Sequence, residues 1–308
     1  MVDLFDNAKY IPKNKSIQLL EEDWKRRHSA DFDAVKKEWL PEVRDFMREA
    51  TGLSMHQKRL ERKIIKDTNL TFKYVTDRKS EFLRMIDEKF PALDFGELIA
   101  NRKLSVVMNE TEKYYKHENT PYQEFDGVKK YLNKYLYEND IERIIDLLFR
   151  KNSNISDIWG TYTYKNVLIE IYYIPLILFS RLMRLDLQFC LLVVLVHEVA
   201  HAFHHKGKDS DGVVWDDMNR ANINIIEGLA QYYTERFVDL YSSRYPSLRK
   251  SYETMLSCQS GPYRIHLDWA KSYKKEHVKN ALLAIRRNGQ HDYSALERLL
   301  NNARENLK

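Results

Sequence analysis

The feature that most constrains the fold is a 20-residue segment, LQFCLLVVLVHEVAHAFHHK, at positions 187–206. Its first half is apolar apart from one glutamine, so a helix there has no polar side to turn towards solvent. Asp186 before it and Gly207 after it are residue types typical of helix caps. The sequence therefore predicts one helix, about 30 Å long, whose first half is buried on nearly every side.

The second half of this segment carries four of the chain's ten histidines. His197 and His201 bracket Glu198 in the order H-E-x-x-H. Residues four apart lie on the same face of a helix, so the two imidazoles can reach one point, as zinc requires for nitrogen ligands at about 2.0–2.1 Å. Glu198 is rotated off the metal but stays close to a metal-bound water, for which it can act as general base. A solvated, histidine-rich helix end is the alternative interpretation.

The other two histidines of the segment, His204 and His205, are not expected to bind the same ion. A third successive helical turn stands roughly 10 Å along the axis from His197. We expect them either to flank the site or to be exposed to solvent, and exposure to solvent is the default. The longer pattern H-E-x-x-H-x-x-G-x-x-H is absent, because His204 occupies its glycine position and Gly207 its last histidine position.

A catalytic zinc usually has three protein ligands, and the stretch NIIEGLAQYYTERF at positions 224–237 supplies the preferred third candidate, Glu227. Its carboxylate stands among apolar neighbours, where a cation would remove the cost of burying an unpaired charge. An exposed helix carboxylate is the alternative interpretation. If Glu227 fails, the substitutes are Glu235 and Asp239, followed by four acids of the intervening loop, Asp209, Asp211, Asp216 and Asp217.

HEVAH followed by a helix bearing IIEGLAQYYTE resembles the zincin metallopeptidases of the gluzincin type, over residues 160–245. The resemblance implies a zincin-like catalytic domain that hydrolyses peptide bonds. It also implies one zinc ion per chain, held by His197, His201 and Glu227, with Glu198 activating water. Thermolysin-like members carry an aspartate four residues after the ligand glutamate. This chain has Gln231 there, whose amide oxygen could still accept a hydrogen bond from a ligand histidine.

Peptide hydrolysis also needs a donor for the negatively charged oxygen that forms on the attacked carbonyl. Zincins often supply a tyrosine or histidine from beyond the third ligand, and SGPYRIH at positions 260–266 offers Tyr263 and His266. We favour Tyr263 as the catalytic donor. The strand-like stretch VLIEIYY at positions 167–173 is either an edge strand, to which an extended peptide can add, or a core strand.

The rest of the chain predicts an α+β fold that is mostly α. LTFKYV at 70–75 and KLSVVM at 103–108 have the composition of short strands, and TYTY with VLIEIYY predicts a β-hairpin. In the first helical stretch, Asp31 is the expected N-cap and Pro41 is expected to kink or split the helix.

Small polar residues at 151–160 mark the expected boundary between an α-rich N-terminal region of unknown role, 1–150, and a zincin-like metallopeptidase domain, 151–308.

Composition bears on the partners of the protein, its compartment and the presence of a membrane span. The 50 basic and 45 acidic residues are interspersed and leave a net charge of +5, which argues against nucleic acid. Two cysteines cannot build a disulfide framework or a cysteine-rich zinc ribbon, so we expect a cytoplasmic protein. The longest uncharged stretches are about half of the roughly 20 residues that cross a bilayer, so no membrane span is expected.

The leading hypothesis is therefore a zinc metallopeptidase, a hydrolase whose partner is a peptide or protein substrate. One alternative is a zincin-fold binding or regulatory protein in which the metal is mainly structural. Another is a DNA-associated protease of the SprT kind, against which the glutamate ligand and the missing cysteine ribbon count.

Overall fold

The computed structural model describes residues 13–15, 18–19, 22, 29–55, 71–75, 84, 86–88, 146–150, 159–259 and 261–306. Over these residues it is mostly helical with a small sheet, which confirms the α+β, mostly α class. The helices are α1 Ser29–Thr51, α2 Tyr173–Met183, α3 Leu187–Lys206, α4 Ile223–Tyr241, α5 Pro246–Ser257, α6 His266–Ser272, α7 Lys275–Arg287 and α8 Tyr293–Asn306. The strands are β1 Thr71–Val75, β2 Gly160–Thr163 and β3 Leu168–Tyr172. A π-helical turn covers Asp146–Arg150, and 3₁₀ turns cover Met218–Arg220 and Gly261–Arg264.

The sheet has the strand order β1-β3-β2. β2 and β3 form the predicted antiparallel hairpin, with Gly160 opposite Ile171. β3 also pairs in parallel with β1, with Thr71 opposite Leu168. β3 is therefore a central strand, because a segment about 100 residues earlier in the chain covers its other side. Of the two alternatives for this stretch, the core strand is correct and the edge strand is not. In the described sheet β2 lies at the edge, and the strand predicted at 103–108 falls outside the described residues.

α3 has the predicted bounds and lies at the centre of the helical layer, packed against α1, α2, α4, α5 and β2. Asp186 caps it as expected, accepting a hydrogen bond of 2.8 Å from the backbone N–H of Gln188. Gly207 ends the helix in an extended conformation. A Cβ at Gly207 would collide with the carbonyl oxygen of Phe203, so close backbone approach explains the glycine.

Among the described residues, α3 is the helix whose length and composition would suffice to cross a membrane. However, 83% of its most apolar 18-residue window is buried against other parts of the chain. The apolar surface of α3 is therefore covered by protein.

α1 contributes to the same hydrophobic core as the residues after 159, through buried side chains that include Phe32, Val43 and Met47. It begins at Ser29, so Asp31 lies inside the helix and the prediction of Asp31 as its N-cap is wrong. It also continues through Pro41 without being split. The domain boundary is expected within positions 151–160, of which 151–158 lie outside the described residues.

Candidate metal centre

Three predicted ligand residues meet at one buried point between α3 and α4. The Nε2 atoms of His197 and His201 are 3.0 Å apart, and the Oε2 atom of Glu227 lies 3.1 Å from the first and 3.4 Å from the second. The exposed fractions of the three residues are only 8%, 5% and 6%. This group could hold a metal ion.

The distances between the three atoms fit a metal with short bonds. Ligands at about 2.0–2.1 Å in a tetrahedral arrangement stand about 3.3 Å from one another. Two imidazole nitrogens and one carboxylate oxygen also form a donor set that zinc accepts. A cation at their centre would satisfy three electron-rich atoms that are packed together away from water.

Two helices bring these ligands together. His197 and His201 are one turn apart on α3, while Glu227 lies in the second turn of α4. α4 starts at a cap in which the Asn222 side chain accepts a hydrogen bond of 2.9 Å from the backbone N–H of Asn224. Buried apolar residues next to Glu227 pack α4 inwards, among them Ile225, Ile226, Leu229 and Ala230.

Burial by itself would raise the pKa of Glu227. The charge of His201 and the hydrogen bonds to both imidazoles outweigh it, and hold the pKa of Glu227 below its usual range. The carboxylate is therefore ionised at neutral pH and available as an anionic ligand.

Glu198 is buried beside the cluster but does not belong to it. It lines a cavity of about 40 Å³ that His197 also lines. Gly160, the first residue of β2, allows this edge strand to pack closely on α3. A Cβ at Gly160 would lie 3.0 Å from Oε1 of Glu198 and 2.7 Å from Cγ1 of Val194. The position of Glu198 next to the cluster is the one that the motif predicts for a general base.

The structure separates the two candidates for the oxyanion donor. Tyr263 lines the same cavity, and its ring stacks on that of His197 with centroids 6.0 Å apart. His266 is fully buried elsewhere, with Nε2 at 2.9 Å from the hydroxyl of Tyr252 and 3.6 Å from Oε2 of Glu235. Burial lowers the pKa of His266 to about 4, so it is neutral at neutral pH. Tyr263 is brought to the site and His266 is not.

A glycine explains why Tyr263 comes so close. A Cβ at Gly228 would lie 2.5 Å from Cγ2 of Ile265 and 2.6 Å from the ring of Trp269. Only glycine lets the turn at Gly261–Arg264 and α6 pack this tightly on α4. The residue stands next to Glu227 in the sequence, but nothing local indicates its role.

The substitute ligands contact basic side chains away from the cluster. Glu235 and Asp239 both contact Arg249. In the loop, Asp209 and Asp211 contact Arg287, Asp216 contacts Lys206, and Asp217 contacts His291. Among the described residues, none of these six acids joins His197, His201 and Glu227.

His204 and His205 are buried, with exposed fractions of 0% and 2%, so the expectation of exposure to solvent is wrong. Other elements cover this end of α3. Nδ1 of His205 lies 2.8 Å from the hydroxyl of Tyr162 on β2, and the ring of His204 packs against Tyr233 on α4. Burial lowers the pKa of His205 to about 4 and the pKa of His204 well below its ordinary value. Both imidazoles are neutral at neutral pH.

Arg286 is a structural residue that the sequence did not reveal. Its buried guanidinium donates hydrogen bonds to the carbonyl oxygens of His204 at 2.6 Å, Gly207 at 2.5 Å and Val213 at 3.1 Å. Burial lowers its pKa to about 10, so it keeps its charge at neutral pH. A cation here satisfies carbonyls at the negative end of the α3 dipole and fixes the loop that follows. An arginine inside the apolar stretch LLAIR was the available signal.

Gln231 does not orient a ligand histidine. Its Nε2 donates a hydrogen bond of 2.9 Å to Oε1 of Gln259, and its own amide oxygen has no hydrogen-bond partner among the described residues. The suggestion that this oxygen accepts from a ligand histidine is therefore wrong, because the side chain turns towards α5 and the residues after it.

Comparison of the chain with protein-family models, curated proteins and solved structures finds no match. The chemistry of the site is therefore the basis on which a function can be assigned.

Proposed function

We propose that the protein is a zinc-dependent metallopeptidase. The observation that carries the proposal is the convergence of His197, His201 and Glu227 within 3.0–3.4 Å, with Glu198 buried beside them. A purely structural zinc is usually enclosed by four protein ligands. Here three converge among the described residues, and a cavity with a candidate base adjoins them.

His197, His201 and Glu227 would hold the ion. A zinc ion bound there supplies a Lewis acid, which polarises the substrate carbonyl and makes water easier to deprotonate. The anionic Glu227 reduces the net charge of the site and also stays ionised when buried.

Glu198 moves the proton. Its carboxylate takes a proton from the attacking water and holds it while the tetrahedral carbon forms. It then delivers the proton to the nitrogen of the leaving amine, so that the peptide bond can break without expelling an amide anion. Its position next to Gly160 leaves one face of the carboxylate towards the cavity.

Tyr263 donates a hydrogen bond to the substrate oxygen. The phenol lies on the cavity wall beside His197, where negative charge develops on the attacked carbonyl. A donor aimed at that oxygen stabilises the transition state more than the ground state. Strand β2, at the edge of the described sheet, offers backbone groups along which an extended peptide can lie.

The test measures metal content and hydrolysis together. Purified protein is analysed for bound metals by mass spectrometry and incubated with a broad peptide library, alongside Glu198→Gln and the control Glu235→Gln. We expect one zinc per chain in all three proteins, and cleavage by the wild type and the control alone. Protein without stoichiometric zinc contradicts the metal site. Zinc-loaded wild type that cleaves no peptide contradicts the catalytic role.

A further inference from the structure

Tyr263 lies in a part of the chain that packs weakly by itself. The 3₁₀ turn Gly261–Arg264 that carries it contains no buried residue. Stacking on the ring of His197 covers one face of the phenol but does not fix where the hydroxyl points. A catalytic group that is displaced by about 1 Å can cost about 100-fold in rate. A donor role for Tyr263 therefore requires contacts that hold the turn from outside.

His266 supplies such a contact. It stands three residues after Tyr263, as the first residue of α6, and it is fully buried. Its Nε2 lies 2.9 Å from the hydroxyl of Tyr252 on α5, which is a hydrogen-bond distance. The carboxylate of Glu235, at 3.6 Å from the same nitrogen, is beyond that distance. Tyr252 is therefore the residue that anchors this imidazole.

The hydrogen bond joins the turn to the wall of the cavity. Tyr252 is buried and belongs to the wall that Glu198 and Tyr263 also line. Burial lowers the pKa of His266, and an interaction with the backbone of Tyr263 acts against that effect, so the imidazole is within reach of this backbone. Close packing on Gly228 holds the residues after the turn against α4. The bond between His266 and Tyr252 holds them against α5.

We propose that His266 is a positioning residue for Tyr263. Its hydrogen bond to Tyr252 fixes the start of α6 and the turn before it, so that the phenol of Tyr263 stays beside His197 and in line with the substrate oxygen. His266 touches neither the substrate nor the metal ligands, and it affects the rate only through the hydroxyl of Tyr263. The inference rests on the proposed peptidase function.

A double-mutant cycle tests this dependence. Tyr252→Phe removes only the hydroxyl that anchors His266, and kcat and KM are measured with zinc-loaded protein in the presence and absence of Tyr263→Phe. Alone, Tyr252→Phe should lower kcat about 10-fold and leave KM within about twofold, because the donor acts in the transition state. In the Tyr263→Phe background it should lower kcat by less than about twofold, since the hydroxyl to be positioned is gone.

Two sets of variants serve as controls. Tyr162→Phe breaks a tyrosine–histidine pair of similar length, 2.8 Å to Nδ1 of His205, away from the turn. It should leave kcat within about twofold in both backgrounds. His266→Gln keeps an amide that can bond Tyr252 and should retain kcat within about threefold, whereas His266→Leu should match the loss caused by Tyr252→Phe.

A second measurement does not depend on hydrolysis. Hydrogen exchange, followed by mass spectrometry, reports how firmly the backbone between Gly261 and Asp268 is held. In Tyr252→Phe these amides should exchange about 10-fold faster than in the wild type. In Tyr162→Phe they should exchange at the wild-type rate.

Unchanged exchange in Tyr252→Phe overturns the proposal. Equal losses of kcat with and without the hydroxyl of Tyr263 overturn it too, because Tyr252 would then act by itself. Faster exchange in a protein whose wild type cleaves no peptide supports the anchoring of the turn and contradicts the peptidase function alone. Cleavage by the wild type without the expected coupling contradicts the positioning role alone.

Discussion

Two pairs of histidines occupy successive turns of α3 and are about equally buried, yet the structure gives them different surroundings. His197 and His201, the ligand pair, point their Nε2 atoms at each other and at Glu227. His204 and His205, the distal pair, diverge, one towards Tyr233 on α4 and the other towards Tyr162 on β2. Burial and histidine content are thus insufficient to form a group that could hold a metal ion, and the convergence of side-chain atoms is what distinguishes the two pairs.

Charge reinforces the difference. The ligand pair shares a buried carboxylate, which attracts a cation. The distal pair lies beside the buried guanidinium of Arg286, which bonds the carbonyl of His204 and lowers the pKa of its imidazole further after burial has done so. Arg286 would repel a cation there, and among the described residues neither of these imidazoles belongs to a group of side chains that could hold a metal ion.

The largest expected difference between the pairs is in metal affinity. His201→Ala removes one of three ligands and should weaken zinc binding by more than about 100-fold, beyond the usual effect of changing a residue that only supports a ligand. His205→Phe should leave zinc stoichiometric, because its ring contacts Tyr162 and not the ion site. Competition with a chromophoric chelator measures both affinities. Equal losses in the two variants would show that the comparison between the pairs is wrong.

Glu198 stands on the same helix between the two ligands and should affect catalysis without affecting the metal. Glu198→Gln keeps the size of the side chain but cannot accept the proton, so kcat for peptide cleavage should fall by about 10²–10⁴. Zinc content should stay at the wild-type value. A variant that loses zinc would instead make Glu198 part of the metal site.

Each pair has a tyrosine neighbour, which gives a matched test of the oxyanion donor. Tyr263→Phe should lower kcat by about 100-fold with little change in KM, because the hydroxyl acts on charge that develops in the transition state. Tyr162→Phe makes the same chemical change beside the distal pair. It should leave kcat within about twofold and lower the free energy of unfolding by about 1 kcal/mol. Similar kinetic losses in both variants would refute a specific role for Tyr263.

The smallest effect concerns pH. His205 has a pKa of about 4 in the folded protein, below its ordinary value of 6.5, because burial disfavours the imidazolium. Between these two values the unfolded chain binds the proton and the folded one does not, so stability is complete above pH 6.5 and is lost as the pH falls towards 4. In urea unfolding of metal-free protein, His205→Phe should therefore show a shallower loss of stability than the wild type. If the stabilities of the two proteins fall in parallel as the pH is lowered, protonation of His205 is not a cause of the loss.

Local features of this chain were predictable because they depend on neighbours in the sequence. The bounds of α3, its cap at Asp186 and the spacing of His197 and His201 follow from helix geometry and from the apolar run that precedes the motif. A helix over IIEGLAQYYTE and the β2–β3 hairpin followed in the same way from local sequence patterns. Glu227 was preferred as the third ligand because of its apolar neighbours, although several other acidic residues remained as alternatives.

Features that depend on segments far apart in the chain were missed or left undecided. Strand β3 is central because β1, about 100 residues earlier, pairs with it. The distal pair is buried because β2, α4 and Arg286 close over that end of α3. Gly228 admits Ile265 and Trp269, and this close packing carries Tyr263 to the site and turns His266 away from it.

The sequence alone determined that one buried helix presents two histidines and a glutamate at metal-binding spacing, since three positions within five residues of a helix have a known relation to one another. The tertiary structure decided which acid meets the histidines, which tyrosine adjoins them and which histidines only support the fold. Those outcomes depend on how helices pack, and packing is set by complementarity between distant side chains that no local pattern records.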